Sequence, residues 1–319
     1  MTPPVTPLDL PVPTPLLLRG RRFDATSPAV MAIVNRTNDS FFGGNRHPDL
    51  RSALAALDVA LADGADIVDV GGVRAGQEGP PVSAAEEVQR VVPFLEQARS
   101  RYPDVVLSLD TWRSEVARAA APVGLDLVND TWAGHDPDLV YAAAECGAGV
   151  VVSHTGGLPP RTDPVDMTYG LDPLDVVTDV LRTLTTGAGA AVRAGVPPSR
   201  VLVDPTLDFG KTTVHSLQVL RHTAAVAALG FPVLQAISRK DFVGESLGLA
   251  ADERLEGSLA ATAVAAWLGA TVFRTHDVRA TRRVVDMVAT IRGDRPPQEA
   301  VRGVPQERAG PGSRCREHP

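Results

Sequence analysis

Eight short apolar runs, none with polar alternation, constrain this chain more than any other feature. They are VMAIVN (30–35), IVDVGG (67–72), VVLSLD (105–110), LDLVND (125–130), GVVVSH (149–154), VLVD (201–204), FPVLQAIS (231–238) and ATVFRT (270–275). A strand with one wet face alternates apolar and polar residues, whereas a strand covered on both faces does not. Between the runs lie Ala-rich stretches with helical spacing, such as Leu54, Leu57, Val59 and Leu61, or Val180, Leu181, Leu184, Ala188 and Val192. Eight buried strands alternating with eight helices predict parallel βα units and a (β/α)8 TIM barrel. An open doubly wound sheet is the alternative, but no Gly-x-Gly-x-x-Gly follows any run, so its usual dinucleotide signature is missing. LLLRGRRFD (16–24) reads as a short hairpin turning at Arg19–Gly20, placed to cover the bottom of the barrel.

Composition narrows the function classes. With 44% hydrophobic and 22% charged residues, the 319-residue chain can bury a full core. A net charge of −7 argues against a nucleic-acid or membrane-surface binder, since both need a positive field. No uncharged apolar run reaches about 18 residues, so no transmembrane helix is expected. The Pro-rich start has no basic region and is not a secretory signal. Two cysteines, Cys146 and Cys315, make no disulfide framework, and a reducing cytoplasm is the expected setting. Residues 1–15 and 295–319 read as disordered tails on either side of one domain, 16–294.

In such a barrel the active site is built from the residues that follow the strands. Here those residues are polar: Asn35, Asp110, Asn129, His154, Asp204, Lys240, Arg274 and His276. Each has a bland reading alone: Asp110 as a helix cap, Asp204 as a turn residue, His154 as a structural histidine, and Lys240 and Arg274 as solvated cations. Their conjunction is more telling. Asp110, Asn129 and Asp204 converge as acceptors and amide donors suited to the edge of a flat heterocycle such as an aminopyrimidinone. Lys240, Arg274 and His276 form a cationic corner at the last two strands, the usual barrel phosphate position, able to hold a diphosphate.

At this point the motifs resemble dihydropteroate synthase. NRTNDSF (35–41), DVGG (69–72), SLDTWR (108–113), VNDTWAG (128–134), DPTLDFGKT (204–212), SRKDFVG (238–244) and RLEGSLAATAVAAWLGATVFRTHDV (254–278) are similar to the family's segments in order and spacing, over roughly residues 16–293. The resemblance implies a transferase of folate biosynthesis. It would join 6-hydroxymethyl-7,8-dihydropterin diphosphate to an aryl amine, p-aminobenzoate, with release of diphosphate. By position it implies that Asp110, Asn129, Asp204 and Lys240 hold the pterin and that Arg274 and His276 hold the diphosphate. It further implies that Asn35 helps bind Mg²⁺, that Asp39 stabilises the developing cation, and that the protein is a homodimer through its last helices.

The second-substrate side departs from that pattern. The family's Val and Pro in the first loop are Arg36 and Asn38, and its second loop becomes GGVRAGQE (71–78), bringing Arg74 and Ala75. The Ser that helps hold the aminobenzoate carboxylate is Asp241, the Met under the pterin is Thr155, and a Gly near the pterin is Asp208. An aspartate about 5 Å from that carboxylate would repel it by roughly 3 kcal/mol at an effective dielectric near 20. The alternative is that Asp241 caps the following helix and points away, and Arg36 or Arg74 could compensate from the loops. Taken together the departures resemble the divergent second paralogue of the family in actinobacteria. Two further readings follow: a pterin-binding barrel with another acceptor or no turnover, and a methyltetrahydrofolate-binding methyltransferase domain. The last shares the Asp/Asn/Asp floor but has no need of Lys240 or the Arg274–His276 corner.

Overall fold

Strands that are apolar on both faces need cover on both sides, and the chain supplies it by closing its sheet on itself inside a ring of helices. The computed structural model describes residues 12–36, 49–74, 80–162, 165 and 167–302. A hairpin, β1 (Leu16–Leu18) and β2 (Arg21–Phe23), comes first. The barrel strands are β3 (Ala29–Asn35), β4 (Ile67–Gly71), β5 (Val106–Asp110), β6 (Leu127–Asn129), β7 (Gly149–Ser153), β8 (Val201–Asp204), β9 (Leu234–Ala236) and β10 (Val272–Thr275). All neighbours pair in parallel in the order β8-β7-β6-β5-β4-β3-β10-β9. A parallel bridge between Val203 and Val233, with Val203 N donating to Pro232 O at 3.0 Å, joins the two ends and closes the barrel.

The helices are α1 (Leu50–Ala62), α2 (Ala84–Arg101), α3 (Ser114–Ala120), α4 (Leu139–Glu145), α5 (Asp175–Arg193), α6 (Thr213–Arg221), α7 (Thr223–Ala227), α8 (Asp241–Leu247), α9 (Leu255–Trp267) and α10 (Val278–Arg292). The sequence pattern predicts eight helices; ten stand among the described residues, because the segments after β8 and β9 each carry two. In three of them the residue just before the helix caps it with its side chain. Asp49 accepts from Ser52 N at 2.8 Å, Ser83 accepts from Glu86 N at 3.2 Å, and Thr212 forms a capping box with His215.

Strand alternation sorts the core into two. Outward residues such as Val30, Ala32, Val34, Val68, Val70 and Leu107 pack against the helices. Inward residues at the strands' N-terminal ends (Met31, Ile67, Val106, Leu127, Val151, Leu202, Leu234 and Val272) pack with Leu16, Leu18 and Phe23 of the hairpin. The hairpin thus plugs the bottom with hydrocarbon, as the sequence led us to expect, and polar chemistry is left to the opposite end. The contacts run past both expected domain limits: Thr14 N donates to Gly230 O at 3.0 Å, and Arg295 pairs with Asp286 at 2.9 Å. No helix among the described residues is long and apolar enough to cross a membrane. Cys146 is half-buried on α4's C-terminal edge, and Cys315 lies outside the described residues.

Candidate active site

Above the apolar floor the inward positions turn polar. Asp69, in the middle of β4, has no solvent exposure and accepts from Ser108 Oγ at 2.5 Å, Asn129 Nδ2 at 3.0 Å and Arg274 Nε at 2.7 Å. Arg274 spans two acids, since its Nη2 donates to Asp110 Oδ2 at 2.7 Å. Thr131 Oγ1 donates to the other Asp110 oxygen at 3.1 Å. β3, β5, β6 and β8 end on Asn35, Asp110, Asn129 and Asp204, so strand termination itself delivers these side chains to the mouth. Asn35, Gly71, Asp110 and Asn129 are successive register partners across four strands.

Burial sets the electrostatics. Desolvation pushes the Asp110 carboxyl up to about 7, against the pull of Arg274 and with the help of Asp69. Asp204 is likewise raised by burial, with Lys240 opposing. Burial lowers Lys240, while Asp208 and Asp204 favour its charged form. Burial also works against the Arg274 charge, but Asp69 and Asp110 outweigh it and hold the guanidinium above its usual range. His276 is pushed down to about 4 by burial and the nearby Arg274 charge, so its imidazole is neutral at pH 7.

The loop after β8 carries the other half of the site. Asp204 Oδ1 accepts from Thr206 N at 2.7 Å. Lys240, the residue before α8, donates to Leu207 O and lies 5.0 Å over the Phe209 ring. Phe209 stands edge-on to Trp132, centroids 5.6 Å apart, and Trp132 edge-on to Trp112 at 6.5 Å. These rings follow β8, β6 and β5 and make an aromatic border beside the carboxylates, a setting suited to a flat polar heterocycle.

The acceptor-side residues take positions that the sequence did not disclose. Asp208 has a left-handed backbone (φ 68°), and its Oδ2 accepts from Asp241 N at 2.7 Å and Phe242 N at 3.3 Å. Asp208 therefore caps α8, and the alternative reading in which Asp241 caps it is corrected. Asp241 instead pairs with Arg254 at 2.7 Å and keeps a mostly exposed carboxylate. Arg36 follows the inward Asn35 and so turns outward, where its Nε donates to Arg90 O at 3.1 Å. Arg74 ends the described part of the loop after β4, and Asn38, Asp39 and Ala75 lie outside the described residues. Arg239 forms a two-point ion pair with Asp277, both contacts at 3.0 Å.

Two residues of the site were not singled out from the sequence. Asp69 had a signal, a lone acid inside an apolar strand, which needs a partner when buried. Lys211 had only its place in DPTLDFGKT. It is buried and donates to the carbonyls of His154, Thr206 and Phe209.

Known proteins resemble this chain in sequence and in fold. The family model described as pterin binding enzyme matches residues 31–276. The chain is 53% identical over 288 residues to a Mycobacterium leprae protein named inactive dihydropteroate synthase 2, covering 90% of this chain and 99% of that one. It is 35% identical over 273 residues to the dihydropteroate synthase of Escherichia coli, covering 86% and 95%. The Yersinia pestis dihydropteroate synthase, solved as a sulfonamide drug complex, superposes with a TM-score of 0.81 at 34% identity, covering 88% of this chain and 99% of that one. The chain belongs to the pterin-binding enzyme family, and its fold is that family's (β/α)8 barrel.

Proposed function

We propose that, within this family, the chain binds 6-hydroxymethyl-7,8-dihydropterin diphosphate at the barrel mouth and has an acceptor side remodelled away from p-aminobenzoate. One observation carries the reading. The acceptors Asp110, Asn129 and Asp204 end their strands around Arg274 and Lys240, while Asp208 and Asp241 place two further carboxylates at the start of α8. The first set matches a donor-rich ring joined to an anion, and the second disfavours an acceptor that carries a carboxylate.

In this reading Asp110, Asn129 and Asp204 hold the aminopyrimidinone edge and Lys240 the ring's carbonyl side. Arg274 and His276 receive the diphosphate, whose charge competes with Asp69 and Asp110 for the guanidinium. In a synthase-type transfer the methylene C–O bond breaks and diphosphate leaves with the electron pair. An amine nitrogen then bonds the methylene carbon and loses a proton. Asp110, as the carboxylate paired with Arg274, would offset the positive charge that develops on the methylene. Asp39 is proposed in the same role from the first loop.

Mg²⁺ fits this site as a companion of the diphosphate. A Cβ at Gly71 would lie 3.6 Å from both Asn35 Oδ1 and Asp110 Oδ2, so those two oxygens flank one glycine at the mouth. No cluster of three or more His, Cys, Asp or Glu suited to a metal occurs among the described residues. Asn35 would therefore hold the ion with water and diphosphate completing its shell, and the ion would offset phosphate charge.

A homodimer through the last helices belongs to the same proposal. Val264 and Trp267 on α9 and Met287 and Ile291 on α10 are exposed apolar residues. Light scattering should give twice the chain mass, and Ile291→Asp should return it to one. The proposed setting is the cytoplasm.

The deciding experiment measures binding of the pterin diphosphate by calorimetry and diphosphate release with and without p-aminobenzoate and Mg²⁺. Binding without aminobenzoate-dependent release is expected. Release that requires p-aminobenzoate would make the chain a working synthase and overturn the acceptor half. Absence of pterin binding would overturn the whole.

A further inference from the structure

Lys211 is the one lysine among the bulkiest fully buried side chains, at 1% exposure, and nothing in the proposed chemistry uses it. Its Nζ lies 2.9 Å from His154 O, 3.1 Å from Thr206 O, 2.9 Å from Phe209 O and 2.8 Å from His154 Nδ1. An ammonium has three N–H groups, so the three carbonyls saturate it and the imidazole nitrogen shares one of the three. His154 Nδ1 accepts, which leaves the proton on Nε2 for Asp179 Oδ2 at 2.9 Å. Burial and the Lys211 charge push His154 down to about 4, so the imidazole is neutral and free to accept. Burial and the Lys240 charge push Lys211 well below the usual lysine range, while Asp204, Asp208 and Asp179 favour its charged form. Three carbonyls need three N–H donors, which only the ammonium carries, so the geometry makes this a cage around a captive cation.

The caged carbonyls belong to a loop that cannot hold itself. Thr206, Asp208 and Gly210 all have left-handed backbones, with φ of 50°, 68° and 62°. Two of the three carry side chains that resist this conformation, so the surroundings must impose it. The loop also presses on its neighbour, since a Cβ at Gly210 would fall 2.1 Å from Thr155 O. The ring-binding features of this side hang on three residues of that loop, Thr206, Leu207 and Phe209. Thr206 N orients Asp204, Leu207 O anchors Lys240, and the Phe209 ring lies beneath the Lys240 ammonium. Lys211 grips the loop at Thr206 and Phe209, on either side of the Lys240 anchor.

We propose that Lys211 is a positioning residue for Asp204 and Lys240, acting as an internal ammonium ion that shapes the loop carrying them; this rests on the pterin-binding reading above. A small free amine can replace such a cation if the side chain is cut back. Lys211→Ala should unfold at lower temperature than the parent, and methylammonium chloride should raise its midpoint more than tetramethylammonium chloride at equal concentration. The parent should respond alike to both salts. Binding of 6-hydroxymethylpterin, read by its own fluorescence, should weaken at least about tenfold in Lys211→Ala, because one lost hydrogen bond to a charged group such as Asp204 or Lys240 costs about that much. Methylammonium should restore it. Lys211→Met, which keeps length without charge, should show the loss without the rescue.

Pterin affinity unchanged in folded Lys211→Met would overturn the positioning role. So would equal effects of the two salts on Lys211→Ala, or failure of both variants to fold with and without amine, which would mark Lys211 as a folding requirement only. If the parent itself fails to bind the pterin, the functional reading falls, and the amine-specific rescue of the melting midpoint still judges the cage.

Discussion

Asp69→Asn is the most exacting test of the buried network. The substitution keeps size and removes one charge. Asp69 accepts three hydrogen bonds, from Ser108, Asn129 and Arg274. An asparagine that keeps its one oxygen towards Asn129 and Arg274 turns its amide to the Ser108 hydroxyl, which must then accept instead of donate. The larger loss is electrostatic, because Arg274 keeps only Asp110 as an ion-pair partner, at 2.7 Å, with Asp204 acting without a direct contact. Removing one partner of a buried ion pair costs about 3–5 kcal/mol, and the surviving Asp110 contact argues for the lower end, about 3 kcal/mol. An unfolding entropy of about 2.1 cal/mol/K per residue over roughly 280 ordered residues gives about 0.6 kcal/mol/K, so the melting midpoint should fall by roughly 5 °C. Scanning calorimetry at neutral pH reads this directly. The double variant Asp69→Asn/Arg274→Met removes both charges and should cost less than the sum of the singles by about 1–3 kcal/mol. A fall of under 1 °C, or strict additivity, would refute the claim that this ion pair holds the barrel interior together.

Asp208→Gly should leave stability within about 1 kcal/mol of the parent, because the lost cap on α8 is offset by relief of the left-handed backbone. Asp208→Ala loses the cap and keeps the strain, so urea denaturation should rank it below the glycine variant by about 1 kcal/mol or more. Asp241→Ser should shift stability by no more than about 1 kcal/mol, since the pair with Arg254 is exposed on the Asp241 side. It should raise p-aminobenzoate affinity by titration calorimetry, and unchanged affinity would show that its charge does not reach the acceptor. Stability should also depend on pH with opposing signs. His154 and His276, both pushed down to about 4, bind fewer protons folded than unfolded, so their contribution is complete above about 6.5 and fades as pH falls towards 4. Asp110, pushed up to about 7, contributes fully below its ordinary value near 4 and loses that contribution as pH rises through 7. Melting midpoints of Asp110→Asn should therefore rise more steeply with pH between 5 and 7 than those of the parent; an equal or shallower slope would count against the raised carboxyl.

The strands were legible because burial on both faces leaves a local signature, a run without alternation. The same runs end on Asn35, Asp110, Asn129 and Asp204, so the candidate floor could be read from strand ends alone. The hairpin turn at Arg19–Gly20 was legible through its glycine, and both residues take a left-handed backbone. The number of helices was less so. His222 ends α6 and precedes α7, and no proline or glycine marks the break.

What the sequence alone determined is which face of each strand a residue occupies, since alternation is a property of the chain's own geometry. Which residues then meet across the barrel was decided by closure. Asp69 and Arg274 are 205 positions apart, and only the stagger of a closed barrel brings their side chains to one level. The same holds for the loops. Asp208 caps a helix 33 positions on, leaving Asp241 to Arg254, and Lys211 reaches the carbonyl of His154, 57 positions back. Local spacing encodes direction; partners and charge balance exist only once distant strands share an interior from which water has been removed.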